Sequence, residues 1–283
     1  MKLTYLGTAA AEGIPAIFCE CEACVLARKE GGKALRTRSG ALVDETLKLD
    51  FGPDSYPQML SRGLSLAKVK NVLITHSHED HLNVFDLTLR RPITSFPKTV
   101  PCMTVYGNAR TEEKLSSGLS DHMRFSRVKE FEPLRIDGYT VTPLQAVHCI
   151  DANGSFPVIF EGREYTRSEE AFIYLIEKDG KRLLYAHDTD ELTQANLEYL
   201  SGKHLDLVSL DCTNGTLQAS YVGHMGAEDN LRTRKALFSV KAADEKTVFV
   251  ANHFSHNGYP SEARLQAALP GFLIAYDGMT VEI

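Results

Sequence analysis

The chain has no run approaching the roughly 20 apolar residues that a membrane-spanning helix needs. Its start, MKLTYLGTAAAEG, lacks the apolar segment behind a basic end that marks a secretory signal. It also lacks a basic excess. With 31 Lys and Arg against 37 Asp and Glu, the formal charge is −6, which excludes a general electrostatic attraction to nucleic acid or anionic membrane. No low-complexity tract, short repeat or Pro/Ser-rich linker divides it, so one domain spanning 1–283 is expected, near the upper size for a single core of about 250–300 residues. These absences point to the cytoplasm, where disulfides are rare and clustered cysteines more often bind metal.

What is present is a series of short apolar runs alternating with helical stretches. KLTYLG reads as a strand, and GALVDETLKLDFG as two strands around a polar turn. AFIYLIEKDGKRLLYAH predicts a hairpin turning at Asp179-Gly180, and FLIAYDGMTVEI repeats the signature at Asp277-Gly278. Helices are predicted over 108–119, 189–200, 227–240 and 261–269. Strands followed by strand–helix alternation imply sheets covered by helices.

The chemistry concentrates in THSHEDH, Thr75 to His81, directly behind the apolar NVLI. In an extended segment, residues two apart share a side, so His76 and His78 can converge on one ion. Asp80 and His81, at the turn, could face a second. A lone histidine is usually solvated or a core residue; four potential ligands in six positions argue for metal. Three more apolar runs finish in ligand-capable side chains: YTVTPLQAVH at His148, KRLLYAHD at Asp188 and KTVFVANH at His253. Sites are commonly built where strands of a packed sheet emerge.

HxHxDH followed by distant His, Asp and His resembles the metallo-β-lactamase superfamily. The resemblance implies an α/β (α+β) fold, a four-layer αββα sandwich with two metal ions at one edge. By that pattern His76, His78 and His148 would hold one ion, Asp80, His81 and His253 the other, and Asp188 would bridge them. Val84 stands where many members have glycine, which implies a differently shaped loop into the following helix.

CECEAC places Cys19, Cys21 and Cys24 at C-x-C-x-x-C spacing, three ligands for a soft tetrahedral zinc. His256, three residues beyond His253, offers the fourth. This combination, with DCT at 211–213, then GHMG, HFSH and YDGM, resembles the PhnP-like phosphodiesterases, a branch that implies cleavage of a ribosyl cyclic phosphate. A relative from pyrroloquinoline quinone biosynthesis shares a cysteine cluster but has a degraded HxHxDH, so the intact motif favours a hydrolase. Cys102, Cys149 and Cys212 read as small core or strand-end residues.

The implied cofactors are two divalent metals, Zn, Mn or Fe, plus one structural Zn. Two cations about 3.5–4 Å apart share and ionise a water and clamp both oxygens of an in-line displacement. Asp80 would orient that water besides binding metal, and His224 resembles the branch's non-ligand catalytic histidine, able to protonate a leaving alkoxide. Asp211 could orient a ligand imidazole. His187 is left out, because adjacent strand positions face opposite ways, and His122 and His204 read as structural or solvated. Arg36 or Arg38, in RKEGGKALRTR, could reach a substrate phosphate, although such a run is usually a solvated face. The segment 151–170 reads as an insertion beside the metals; its Phe156, Phe160 and Tyr165 either stack on substrate or, by preference, anchor the loop.

The expected partner is a small phosphodiester, with no membrane or nucleic acid and a homodimer left open. Alternatives are a carboxylic ester, thioester or lactone hydrolase on the same site, a tRNA-processing nuclease, disfavoured by the acidic balance, and a non-catalytic cofactor-biosynthesis protein. A redox di-iron role is disfavoured because His78 stands where those relatives carry an acid.

Overall fold

The computed structural model describes residues 1–90, 101–218, 221–258 and 261–283. Its first half lays down β1 (Lys2–Gly7), β2 (Gly40–Val43), β3 (Leu47–Leu49), β4 (Asn71–Leu73), β5 (Met103–Gly107) and β6 (Met123–Arg127), interspersed with α1 (Glu22–Glu30), α2 (Ser55–Ser61), α3 (Val84–Thr88) and α4 (Ala109–Leu115). The second half adds β7 (Leu134–Ile136), β8 (Tyr139–Gln145), β9 (Phe156–Phe160), β10 (Arg163–Arg167), β11 (Phe172–Lys178) and β12 (Lys181–Ala186). There follow α5 (Gln194–Leu200), β13 (Leu207–Asp211), α6 (Ala227–Ser239), β14 (Val248–Asn252), α7 (Glu262–Ala268), β15 (Phe272–Ile274) and β16 (Thr280–Glu282). Two seven-stranded sheets form, in the orders β16-β1-β2-β3-β4-β5-β6 and β15-β14-β13-β12-β11-β8-β7; β9 and β10 stand apart as a ribbon.

The apolar runs are continuous because both faces of the strands are covered. In β11, Phe172, Tyr174 and Ile176 face the first sheet and meet Leu3, Tyr5 and Leu49. Ile173 and Leu175 face the other way, toward Leu200 of α5, Leu237 of α6 and Leu265 of α7. On the first sheet, Leu42, Val72 and Val105 pack outward against Leu87 of α3 and Leu115 of α4. The layers are therefore α, β, β, α, as expected. No helix among the described residues is long and apolar enough to cross a membrane.

Part of each sheet is parallel: β3 to β6 in one, β12 to β15 in the other. Carboxyl ends of neighbouring strands therefore emerge at one edge, the usual place for a site. The β11–β12 hairpin turns at Asp179 and Gly180, both with positive φ, as a two-residue loop of that type requires. The second predicted hairpin does not form. β15 lies beside β14 in the second sheet, whereas β16 pairs with β1 in the first. The Asp277 carboxylate accepts from Thr8 Oγ1 (2.7 Å) and from Thr37 N (2.7 Å), and Gly278 N donates to Tyr5 O. These tertiary bonds carry the turn from one sheet to the other.

Helices over 227–240 and 261–269 form close to where they are predicted, but the one over 189–200 begins only at Gln194, capped by Thr193 Oγ1, because the residues after Asp188 belong to the site edge. The 151–170 insertion contains the β9–β10 ribbon. Val158 and Phe160 bury against Val147, with Tyr165 and Val222 alongside, so Phe160 and Tyr165 anchor the loop.

The layering predicts that Leu175→Ala, in the central strand, lowers the unfolding free energy in denaturant titration by about 2–5 kcal/mol. Ile159→Ser, on the exposed face of the ribbon, should change it by no more than about 0.5 kcal/mol. Comparable losses from both would place the core elsewhere.

Candidate metal centre

β4 ends at Leu73, and the turn behind it delivers the histidine motif to the sheet edge. His76 Nε2 lies 2.8 Å from His78 Nδ1, which is 3.4 Å from His148 Nε2. Asp188 Oδ2 sits 3.2 Å from His76 Nε2, 3.4 Å from His148 Nε2, 3.0 Å from His81 Nε2 and 4.0 Å from His253 Nε2. Asp80 Oδ2 lies 3.1 Å from His81 Nε2. The seven side chains proposed from sequence thus come together, in two sets that share Asp188. Donors about 2.1 Å from a tetrahedral cation stand about 3.4 Å apart, which is the spacing here. Nε2 of His253 is buried without any hydrogen-bond partner, and Nε2 of His81 meets two carboxylates at 3.0 and 3.1 Å without hydrogen-bonding geometry, a costly state that a bound cation would relieve. The donor set fits two divalent metals.

The backbone is bent to achieve this. Asp188 (φ 57°) and His253 (φ 60°), each just past a strand end, are non-glycine residues in the left-handed region, which costs of order 1–3 kcal/mol apiece.

The outward nitrogens of the imidazoles are also held. His81 Nδ1 donates to Asp50 Oδ2 (2.9 Å), and Asp50 Oδ1 accepts from Thr75 N and Oγ1. His253 Nδ1 lies 3.1 Å from Asp211 Oδ2 and 2.8 Å from Thr213 Oγ1. His76 Nδ1 is 3.0 Å from Thr75 Oγ1, and His148 Nδ1 faces Gly223 O at 3.4 Å. Such partners fix ring orientation and ligand basicity. Asp211 holds the orienting position considered for it. Asp50 was missed, although GALVDETLKLD ends an apolar run in an acid, the same signal that found Asp188. His187 lies between the sheets, bonded to Ser209 Oγ at 2.7 Å, with its ring centroid 6.5 Å from that of His253.

His224 Nδ1 lies 3.2 Å from Asp188 Oδ1 and 3.3 Å from Asp211 Oδ2. Burial alone would lower its pKa; the Asp188 and Asp211 carboxylates outweigh that and raise it to about 9, a rise that cations bound to Asp188 would oppose. At His148 burial prevails and brings the pKa down to about 4, and His76 is likewise lowered. These downward shifts favour the neutral imidazole that metal ligation requires, whereas the nearby carboxylates, Asp80 and Asp50 at His81 and Asp188 at His253, outweigh burial and raise both of those rings. Asp80, pushed up by burial but pulled down more by the His81 charge, falls to about 2.

The cysteine knuckle forms a second cluster. Sγ of Cys19 and of Cys21 lie 3.5 and 3.3 Å from His256 Nδ1, and one ligand atom from each of Cys19, Cys21, Cys24 and His256 lies within 4.8 Å of all the others. Tetrahedral Zn–S bonds of about 2.3 Å separate sulfurs by about 3.8 Å, so the group fits one zinc.

The two arginines do not reach substrate space. Arg36 is buried, donating from Nη1 to Thr8 Oγ1 and to the carbonyl of Ala275, with its guanidinium over Phe254. Arg38 is paired with Asp54 and donates to Ala11 O. Both cations are spent on holding the N-terminal loop, which corrects the phosphate-binding expectation. A cavity of about 500 Å³ opens over the centre, lined by Asp80, Asp188, His224 and His253 on its floor.

Residues 48–273 match the family described as beta-lactamase superfamily domain. The chain belongs to that superfamily. Coenzyme PQQ synthesis protein B of Methylobacterium radiotolerans is 26% identical over 313 residues, covering all of both chains. A diphosphatase from the PhnP family superposes with a TM-score of 0.72 at 24% identity, over 100% of this chain and 96% of that one. Zn(2+)-bound PqqB from Methylobacterium extorquens gives 0.70 at 20% identity over the whole of both. These likenesses establish the metallo-β-lactamase fold.

Elemental analysis of the purified protein should find up to three metals per chain, one of them resistant to a mild chelator because thiolates hold it. Asp50→Asn should weaken the cation beside His81 by about 10–100-fold in chelator competition, leaving the knuckle metal in place. Unaltered affinity would deny Asp50 its orienting part.

Proposed function

We propose that the chain is a dinuclear-metal-dependent hydrolase of a small phosphodiester, with a structural zinc in the cysteine knuckle. The observation that carries this reading is a complete donor set of seven side chains with His224 beside it on the floor of one cleft. Two divalent cations there supply Lewis acidity and an ionised water at neutral pH. A phosphodiester suits such a site because its transition state spreads negative charge over oxygens.

The residues divide the remaining work. Asp80 lines the cleft with its carboxylate beside His81, placed to orient the attacking water. Asp188 and Asp211 hold the Nδ1 edge of His224, which fixes the ring where it borders the cleft. From there the imidazole donates a proton to the departing alkoxide.

A second reading follows from the full-length similarity to coenzyme PQQ synthesis protein B: a cofactor-handling protein that binds metal without turnover. An ester, thioester or lactone hydrolase would use the same centre on a carbonyl. Metal-replete protein presented with phosphodiesters, lactones and thioesters separates the three. We expect turnover of phosphodiesters; turnover of the acyl substrates alone would move the chemistry to carbonyls, and none at all would favour cofactor handling. His224→Ala should keep its full metal content and lose about 10²–10⁴-fold in kcat. Unchanged kcat in that variant would remove His224 from the mechanism.

A further inference from the structure

The cleft over the metal centre has two unlike walls. Tyr221, more than half exposed, stands edge-on to His224 with ring centroids 6.0 Å apart on one side. Glu12, Ser255 and Asn257 form the other. Glu12 Oε1 accepts a hydrogen bond from Ser255 Oγ and lies 3.8 Å from His256 Nε2, beyond hydrogen-bond reach. Its second oxygen, Oε2, bonds to nothing among the described residues. Ser255 Oγ in turn accepts from Asn257 N at 3.2 Å, so the hydroxyl is oriented and its proton committed to Glu12. The carboxylate thus meets the cleft with acceptor sites unspent. Among the described residues that line the cleft there is no Lys or Arg, and Arg36 and Arg38 are tied up elsewhere.

Resting on the hydrolase reading above, we infer that Glu12 selects phosphodiesters whose second arm ends in a hydrogen-bond donor, an ammonium group most strongly. The anionic phosphoryl group belongs at the floor, among the metal ligands, and an arm leaving it along this wall meets the Glu12 carboxylate. Attraction to an ammonium and repulsion of a second anion are both strengthened by partial removal from water. A substrate with a second acidic group is disfavoured for the same reason.

The test uses full-length, metal-replete protein and three diesters with one leaving group: 4-nitrophenyl 2-aminoethyl, ethyl and 2-carboxyethyl phosphate. We expect kcat/KM to fall in that order, by about tenfold at each step, a difference of about 1.4 kcal/mol. Glu12→Gln should compress the series to within about threefold while both metal sites keep their content; Glu12→Lys should invert it. If Glu12 only buttressed His256, its replacement would alter knuckle zinc and leave the order intact. An order that survives Glu12→Gln, or a native preference for the carboxyethyl ester, overturns the inference. Equal turnover of all three would sink it alone, whereas turnover of none would sink the hydrolase reading together with it.

Discussion

One carboxylate governs the centre. Asp188 is nearly inaccessible to solvent, yet its Oδ2 stands within 4.0 Å of nitrogens from four histidines delivered by three different segments. Without compensation a buried anion is expensive, and crowded imidazoles that cannot all donate protons to it are scarcely better. Burial pushes the Asp188 carboxyl upward, but the surrounding imidazoles, His253 and His224 among them, outweigh it and hold the group ionised. The sheet edge is therefore an assembly of groups that repel or desolvate one another unless cations lie among them. The strand ends that deliver Asp188 and His253 add left-handed backbone to that conflict.

The scaffold tolerates this because its strain is localised. Tyr174, Tyr185 and Phe172 fill the space between the sheets, and Tyr174 Oη donates to Ile74 O, just before the motif. Asp50, at the end of β3, is pinned in turn by the buried Lys48, whose Nζ donates to Asp50 O at 2.6 Å. The Lys48 ammonium is desolvated and its pKa falls to about 8 despite the nearby carboxylate. A rigid, well-packed interior can hold ligands to a few tenths of an ångström where loops alone could not.

Much of this was readable in the residues. The spacing of His76, His78, Asp80 and His81, and the habit of apolar runs to end in His or Asp, located the centre, because strand period and burial are local properties. Three things were not local. Asp277-Gly278 has the chemistry of a hairpin turn, yet Thr8, Thr37 and Tyr5, far away in sequence, decide which sheet the next strand joins. Arg36 looked like a surface cation because its neighbours are charged, and only the fold reveals Phe254 beneath its guanidinium. The helix over 189–200 started late since propensity cannot register that the residues behind Asp188 are needed elsewhere.

The knuckle shows how these distant dependencies join. Cys19 and His256 are separated by 237 positions, and closing so long a loop costs only slightly more than closing a moderate one. Its ligand His256 lies three residues after His253, which belongs to the other cluster. Between them Phe254 packs against Arg36 and Ser255 binds Glu12, so every residue from 253 to 256 is held by a different contact. A zinc in the knuckle would consequently restrain the very loop that presents His253 to the centre. The two clusters are then not independent modules: a cation in the knuckle would lower the conformational entropy that binding at the other must overcome.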